Sequence, residues 1–120
     1  MKKNPNQSAN EFYNEHHSTE NYYKILGNFC ITDGVKNIAD QEECYWLIDI
    51  ILSYQFYLKF RVEEFQVWKL KRIKNEKFKL TATDGNENIL VTQTIQFSDF
   101  FFDELTIWKE SNILLLPSEH

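Results

Sequence analysis

The spacing of apolar residues divides this chain into a helical half and a strand half. From Glu42 to Phe60, EECYWLIDIILSYQFYLKF, apolar side chains occupy almost every side of a 3.6-residue wheel. Trp46, Ile50 and Tyr57 lie along one side, Leu47, Ile51 and Tyr54 along another, and Ile48, Leu52 and Phe56 fill the remainder. Only Glu42, Asp49 and Ser53 make a polar stripe. A helix apolar on most sides is normally buried with elements packed over several faces. The pattern therefore predicts a central helix that the rest of the chain covers.

After Phe60 the period falls from 3.6 to 2. Glu64 to Ile73 reads as a strand, and Phe78 to Thr83 as a second one facing back across Lys74-Asn75-Glu76. Asp84-Gly85 is a hairpin signal, because the turn needs residues that tolerate positive φ. Beyond it Ile89, Val91 and Ile95 alternate with Leu90, Thr92, Thr94 and Gln96 as a third strand. Ser98-Asp99 breaks the pattern before Phe100-Phe101-Phe102. Leu105, Ile107 and Trp108, then Ile113 to Leu116, supply a fourth short strand and a closing segment before Pro117.

Upstream, residues 1 to about 10, MKKNPNQSAN, are polar and expected to be disordered. Ser18 or Thr19 can cap a helix with Glu20 in its first turn, presenting Tyr22, Ile25 and Leu26 and stopping at Gly27. Asp33 is placed to cap a second, short helix that presents Val35 and Ile38. The expectation is one α+β domain over residues 1–120, with N-terminal helices packed on a mostly antiparallel sheet of about four strands.

Composition narrows the chemistry. Apolar residues are 42% and aromatics 16% of the 120 residues, which excludes a disordered chain. Three Gly and two Pro argue against a Gly-rich phosphate loop. Cys30 and Cys44 match no zinc or redox spacing, so no metal and no cofactor is expected, and free thiols fit a reducing cytoplasm. Met1-Lys2-Lys3 leads into polar residues instead of an apolar signal segment, and Asp49 breaks the longest apolar run, so neither export nor a membrane partner is expected.

Net charge is −5, unevenly spread. Residues 1–58 hold four basic and eight acidic side chains, residues 59–79 eight basic and three acidic, and residues 80–120 one basic and seven acidic. A segment of +5 thus sits between segments of −4 and −6. Within it, Lys69, Lys71, Arg72, Lys74, Lys77 and Lys79 share one predicted hairpin. If Trp68, Leu70, Phe78 and Leu80 point inward, Lys69, Lys71, Lys77 and Lys79 share the outward face as a platform for phosphates. The plain alternative is a solvated face whose lysines discourage aggregation. Phe65 and Val67 fall on the same outward face, so part of it is open to coverage by protein.

Other candidate groups are weaker. His16 and His17 are adjacent and would point about 100° apart on a helix, unlike the i, i+4 pairs that clamp metals. Asp49, inside an apolar helix, could act as a general acid or base if buried. No His, Lys or Cys at helical spacing completes a dyad with it, and with Ser53 it also reads as a polar stripe reaching solvent.

Several segments, taken together, resemble a known family. They are Thr19-Glu20-Asn21-Tyr22-Tyr23, Thr32-Asp33-Gly34-Val35-Lys36, Tyr45 to Ile51, Ser53-Tyr54-Gln55, Phe65-Gln66-Val67-Trp68-Lys69-Leu70, Asp84-Gly85-Asn86, Ser98-Asp99-Phe100 and Leu114 to His120. The order is similar to that of a small uncharacterised bacterial family carried on plasmids, phages and integrative elements, over roughly residues 18–120. That resemblance brings no known activity and no site residues. It implies an accessory protein of a mobile element, acting inside a bacterial host. Proteins of that setting include antagonists of host defence such as anti-CRISPR inhibitors.

The functional expectation is a non-enzymatic protein that binds and inhibits a host defence nucleoprotein. A CRISPR effector is the candidate partner, with the RNA-guided, RNA-cleaving type VI class favoured. The lysine face would meet RNA or an acidic surface, no small-molecule substrate is involved, and the acidic ends would meet a basic nucleic-acid channel. The alternatives are a small hydrolase using Asp49, or a structural or regulatory interaction module.

Overall fold

The computed structural model describes residues 3–120. Its frame is a seven-stranded mixed sheet built from β1 (Tyr22–Lys24), β2 (Cys30–Thr32), β3 (Phe65–Lys74), β4 (Lys77–Thr83), β5 (Ile89–Ile95), β6 (Glu104–Glu110) and β7 (Ile113–Leu115). Across the sheet they lie in the order β1-β2-β7-β6-β3-β4-β5. Neighbours are antiparallel except β2 and β7, which run parallel. Strands β3, β4 and β5 form a meander. The chain then crosses back through Phe100-Phe101-Phe102 to lay β6 on the other side of β3.

The helices are α1 (Ala9–Phe12), α2 (Asp33–Gln41), α3 (Tyr45–Tyr54) and α4 (Leu58–Arg61), and a 3-10 turn at Pro117–Glu119 follows the last strand. Inward side chains of the sheet, Trp68, Leu70, Phe78, Leu80, Leu105 and Ile107, form one buried cluster with Val35 and Ile38 of α2 and with Leu47, Ile48, Ile51 and Leu52 of α3. Helices α2, α3 and α4 therefore cover one face of the sheet. Among the described residues the opposite face carries no helix beyond the closing 3-10 turn.

This architecture corrects the expected fold. The sheet has seven strands, not about four, and it is mixed. The segment from Thr19 to Gly27, expected to be helical, instead holds strand β1 over Tyr22–Lys24 with irregular chain on either side. Tyr22, Tyr23 and Ile25 suit a strand as well as a helix, and a tertiary partner decides between them. Strand β1 pairs with β2, and β2 docks alongside β7. Gly27, expected to stop that helix, lies instead in the β1–β2 turn, with φ of +60°.

The long central helix is also shorter than its apolar pattern implies. It ends at Tyr54, where Gln55 turns its amide back onto the carbonyl of Ile51 at 3.0 Å, and α4 follows as a single turn. Nor is α3 covered on all sides: Tyr45, Asp49 and Ser53, at i, i+4 and i+8, are exposed. It covers the sheet instead of being covered.

Residues near the N-terminus lie against the sheet. Ser8 caps α1 by accepting the N–H of Glu11, and it bridges Glu104 on the part of β6 that β7 leaves unpaired. Asn10 accepts the N–H of Thr106 at 2.7 Å and donates to its carbonyl at 2.9 Å. The expected disorder therefore does not extend over Ser8 to Asn10, while Met1 and Lys2 lie outside the described residues. Among the described residues no helix is long and apolar enough to cross a membrane.

Candidate interaction surface

The alternation of β3 and β4 sends Trp68, Leu70, Phe78, Leu80 and Ala82 inward, each essentially inaccessible. Lys69, Lys71, Lys77 and Lys79 consequently stand on the open face and are exposed. The register sets Lys71 directly opposite Lys79. A bulge between Arg72 and Lys74 absorbs Ile73 and sets Lys74 directly opposite Lys77. Directly opposite residues of an antiparallel pair project to the same side, with Cβ atoms about 4.5–5.5 Å apart. The bulge therefore adds Lys74 to the lysine face.

Two like-charged cross-strand pairs on one hairpin repel each other. Among the described residues, Lys71, Lys74, Lys77 and Lys79 form no ion pair, while Lys69 reaches Glu104 at a loose 3.9 Å. Around them the face is mostly uncharged, with Thr81, Thr92 and Thr94 on β4 and β5 beside Lys79, and one carboxylate, Glu104 of β6, directly opposite Lys71. Towards β6 it becomes aromatic. Phe65 and Trp108 meet edge-on at 5.3 Å between centroids, and His120 covers Trp108 at 5.4 Å. That end of the face is partly covered by the chain itself.

Arg72 is not part of this platform. It faces inward over the Phe78 ring at 4.5 Å. Its Nε donates to Asp103 at 2.9 Å, its Nη2 to the carbonyls of Phe100 at 2.8 Å, Phe101 at 3.2 Å and Phe102 at 3.3 Å, and its Nη1 to the carbonyl of Asn75. It holds the crossing from β5 to β6, a structural task that sequence alternation alone does not reveal.

The candidate catalytic groups do not assemble. Asp49 is exposed on α3, in line with Tyr45 and Ser53. His16 is engaged by the Asn37 amide at 3.1 Å, and His120 meets Glu110 at 3.1 Å. The thiol of Cys44 is buried, and burial pushes its pKa up to about 12, away from nucleophilic thiolate. Among the described residues no three His, Cys, Asp or Glu side chains converge as a metal site would require.

Three polar networks were not visible as such in the chain. Asp33 accepts the backbone N–H of Glu20 at 2.9 Å and of Asn21 at 3.2 Å, and the Tyr23 hydroxyl at 2.8 Å. These bonds, the Glu20 N–H first, hold its carboxyl down at about 2. Glu42, its side chain 3% exposed, pairs with Lys3 at 2.9 Å and accepts the Tyr13 hydroxyl at 2.5 Å. Burial, then that hydrogen bond, raises the Tyr13 pKa. Lys109 points into the helix-covered side and donates to the carbonyl of Glu63 at 3.2 Å, and burial lowers its pKa. The only signal for these was the presence of Asp33, Glu20, Asn21 and Tyr23 within the motif segments, which touches the first network alone.

Fold and surface together define an α+β protein with helices on one side of a mixed sheet and a lysine-bearing open face on the other. The chain belongs to a family of unknown function, DUF6876, whose model matches residues 7–120. No curated protein matches it, and no solved structure does.

Proposed function

We propose that this protein is a non-enzymatic, mobile-element-borne binding protein that inhibits a host defence nucleoprotein by seating its open lysine face on phosphates. The candidate target is a CRISPR effector, with the RNA-guided, RNA-cleaving type VI class favoured. The observation that carries this reading is the opposition of Lys71 to Lys79 and of Lys74 to Lys77. Glu104 stands opposite Lys71 on β6, whereas Lys74, Lys77 and Lys79 face no carboxylate across the ladder, and a polyanion laid over the two like-charged pairs relieves their repulsion. The setting inside a bacterial host comes from the resemblance of the motif segments.

Each phosphate neutralised releases counterions, and log K falls with log salt by about 0.7–0.9 per phosphate. Changing Lys71, Lys74, Lys77 and Lys79 to Ser should weaken binding to an effector–guide RNA complex and flatten the salt slope by about 3. Unchanged affinity in this variant would sink the reading. It would turn attention to the acidic segment 80–120, which could enter a basic channel by imitating nucleic acid.

A further inference from the structure

The two edges of the sheet are built differently. At one end β1 is three residues long and carries Lys24. At the other, β5 runs for seven residues, and no described element pairs with its outer side. From Asn88 to Ser98, NILVTQTIQFS, there is no charged residue and no proline. Exposed edge strands are normally shortened, charged or bent to prevent pairing with another chain. Past the bulge at Leu90, the stretch from Val91 to Ile95 has none of these, and exposed Ile89 and Phe97 lie to either side of it.

We infer that β5 is the pairing edge of a two-fold homodimer, in which two copies join antiparallel through residues 91–95 into one continuous sheet. The strand's own pattern favours a second copy as its occupant. Val91, Gln93 and Ile95 lie opposite Ala82, Leu80 and Phe78 on the helix-covered face, while Thr92 and Thr94 lie opposite Thr81 and Lys79 on the open face. Antiparallel pairing centred on Gln93 sets Val91 against the partner's Ile95, and Thr92 against the partner's Thr94. On the core side apolar then meets apolar on either side of a central Gln93–Gln93 pair, and hydroxyl meets hydroxyl outside. This register also stops short of the bulge between Ala82 and Thr83, which disturbs Ile89 and Leu90.

Further features agree with that axis. The Tyr54 hydroxyl donates to Gln93 at 2.6 Å and holds the central residue of the edge from the helix side. Tyr57, 65% exposed, packs beside Tyr54 at 6.3 Å between centroids, so apolar surface borders the joint on that side. Charge does not oppose the union. With strands about 4.8 Å apart, the two Lys79 residues lie about 15 Å from each other, beyond the screening length of about 8 Å at physiological salt. The pairing is isologous and closes on itself, leaving the short Lys24-bearing strands as outer edges. It also joins the two lysine faces on one side of the assembly.

The test is sedimentation equilibrium of the full chain over a wide concentration range, with two charge variants whose folding is checked by circular dichroism. Thr92→Lys/Thr94→Lys places like charges opposite each other at both positions and should weaken dimerisation by about tenfold or more. Thr92→Lys/Thr94→Glu places opposite charges there and should restore it. Hydrogen exchange of the wild type, which depends on no variant, should show concentration-dependent protection of the amides in residues 91–95. A chain that stays monomeric at high micromolar concentration overturns the inference. So does a dimer that both variants leave unchanged.

Discussion

Gln55 and Gln66 face each other in the core and exchange two hydrogen bonds, Gln55 Nε2 to Gln66 Oε1 at 2.9 Å and Gln66 Nε2 to Gln55 Oε1 at 3.0 Å. Both are buried, at 5% and 0% exposure. Gln66 Oε1 also accepts the Trp68 indole N–H at 2.9 Å, and Gln66 Nε2 donates to the Phe60 carbonyl at 2.8 Å. The pair ties the end of α3 to the start of β3 and satisfies a carbonyl of α4. Gln66→Leu strands Gln55 Oε1 and the indole N–H, at about 1–3 kcal/mol for each unsatisfied group, while Gln55 Nε2 keeps the Ile51 carbonyl. Urea unfolding of Gln55→Leu, Gln66→Leu and the double variant should show the double costing less than the sum. Additive losses would mean that the two amides do not act as a unit.

Trp68 is 1% exposed, whereas Trp46 is only half-buried on α3. Trp68→Ala should cost about 3–5 kcal/mol. Trp46→Ala should cost distinctly less, and Asp49→Asn should stay within about 0.5 kcal/mol. Thermal melts of the three variants rank them. A larger loss for Trp46 than for Trp68 would reverse the assignment of the core.

Asp33 supplies a pH dependence with a defined sign. Its folded pKa, at about 2, lies below its ordinary value of about 3.9. The unfolded chain therefore takes up the proton first as the pH falls. The stabilisation is present above pH ~4 and is lost between pH ~4 and ~2. Asp33→Asn should show a shallower fall in Tm across that window than the wild type. Equal slopes would remove Asp33 as the staple between the Glu20–Tyr23 segment and α2.

Lys109 is 4% exposed, and burial lowers its pKa. A lowered lysine pKa means that folding disfavours the charged form, so its contribution opposes stability at neutral pH and eases as the pH rises towards the ordinary value of about 10.4. Lys109→Met keeps the packed stem and removes the charge, and should raise Tm. Lys109→Ala leaves a cavity and should lower it, by about 2–4 kcal/mol of stability. A methionine variant less stable than the wild type would show the ammonium to be structurally required.

Gly85 has φ of +88°, and a Cβ there would lie 2.8 Å from the Phe65 ring. Gly85→Ala should destabilise by about 1 kcal/mol or more through the turn conformation and that contact. Phe65→Ala should soften the loss, because the clash disappears. Equal losses in both backgrounds would leave turn strain as the sole cause.

The strand-rich half is legible from residue order alone, because a two-residue period is a local property. The alternation in FQVWKL and KFKLTAT, with Asp84-Gly85 between strands, identifies β3, β4 and β5 and puts Lys69, Lys71, Lys77 and Lys79 outward. Tertiary structure decided whatever depended on a distant partner. Tyr22–Lys24 is a strand because β2 pairs with it, and β2 in turn lies on β7, more than 80 positions later in the chain. The long apolar run breaks after Tyr54 because Gln55 finds Gln66. Arg72 turns inward because the carbonyls of Phe100 to Phe102 converge there, and the bulge beside it brings Lys74 round to face Lys77. Apolar spacing records which way a side chain points within its own element. Only the folded chain can supply the hydrogen-bond partners and neighbouring strands that decide where elements stop and which polar groups are buried.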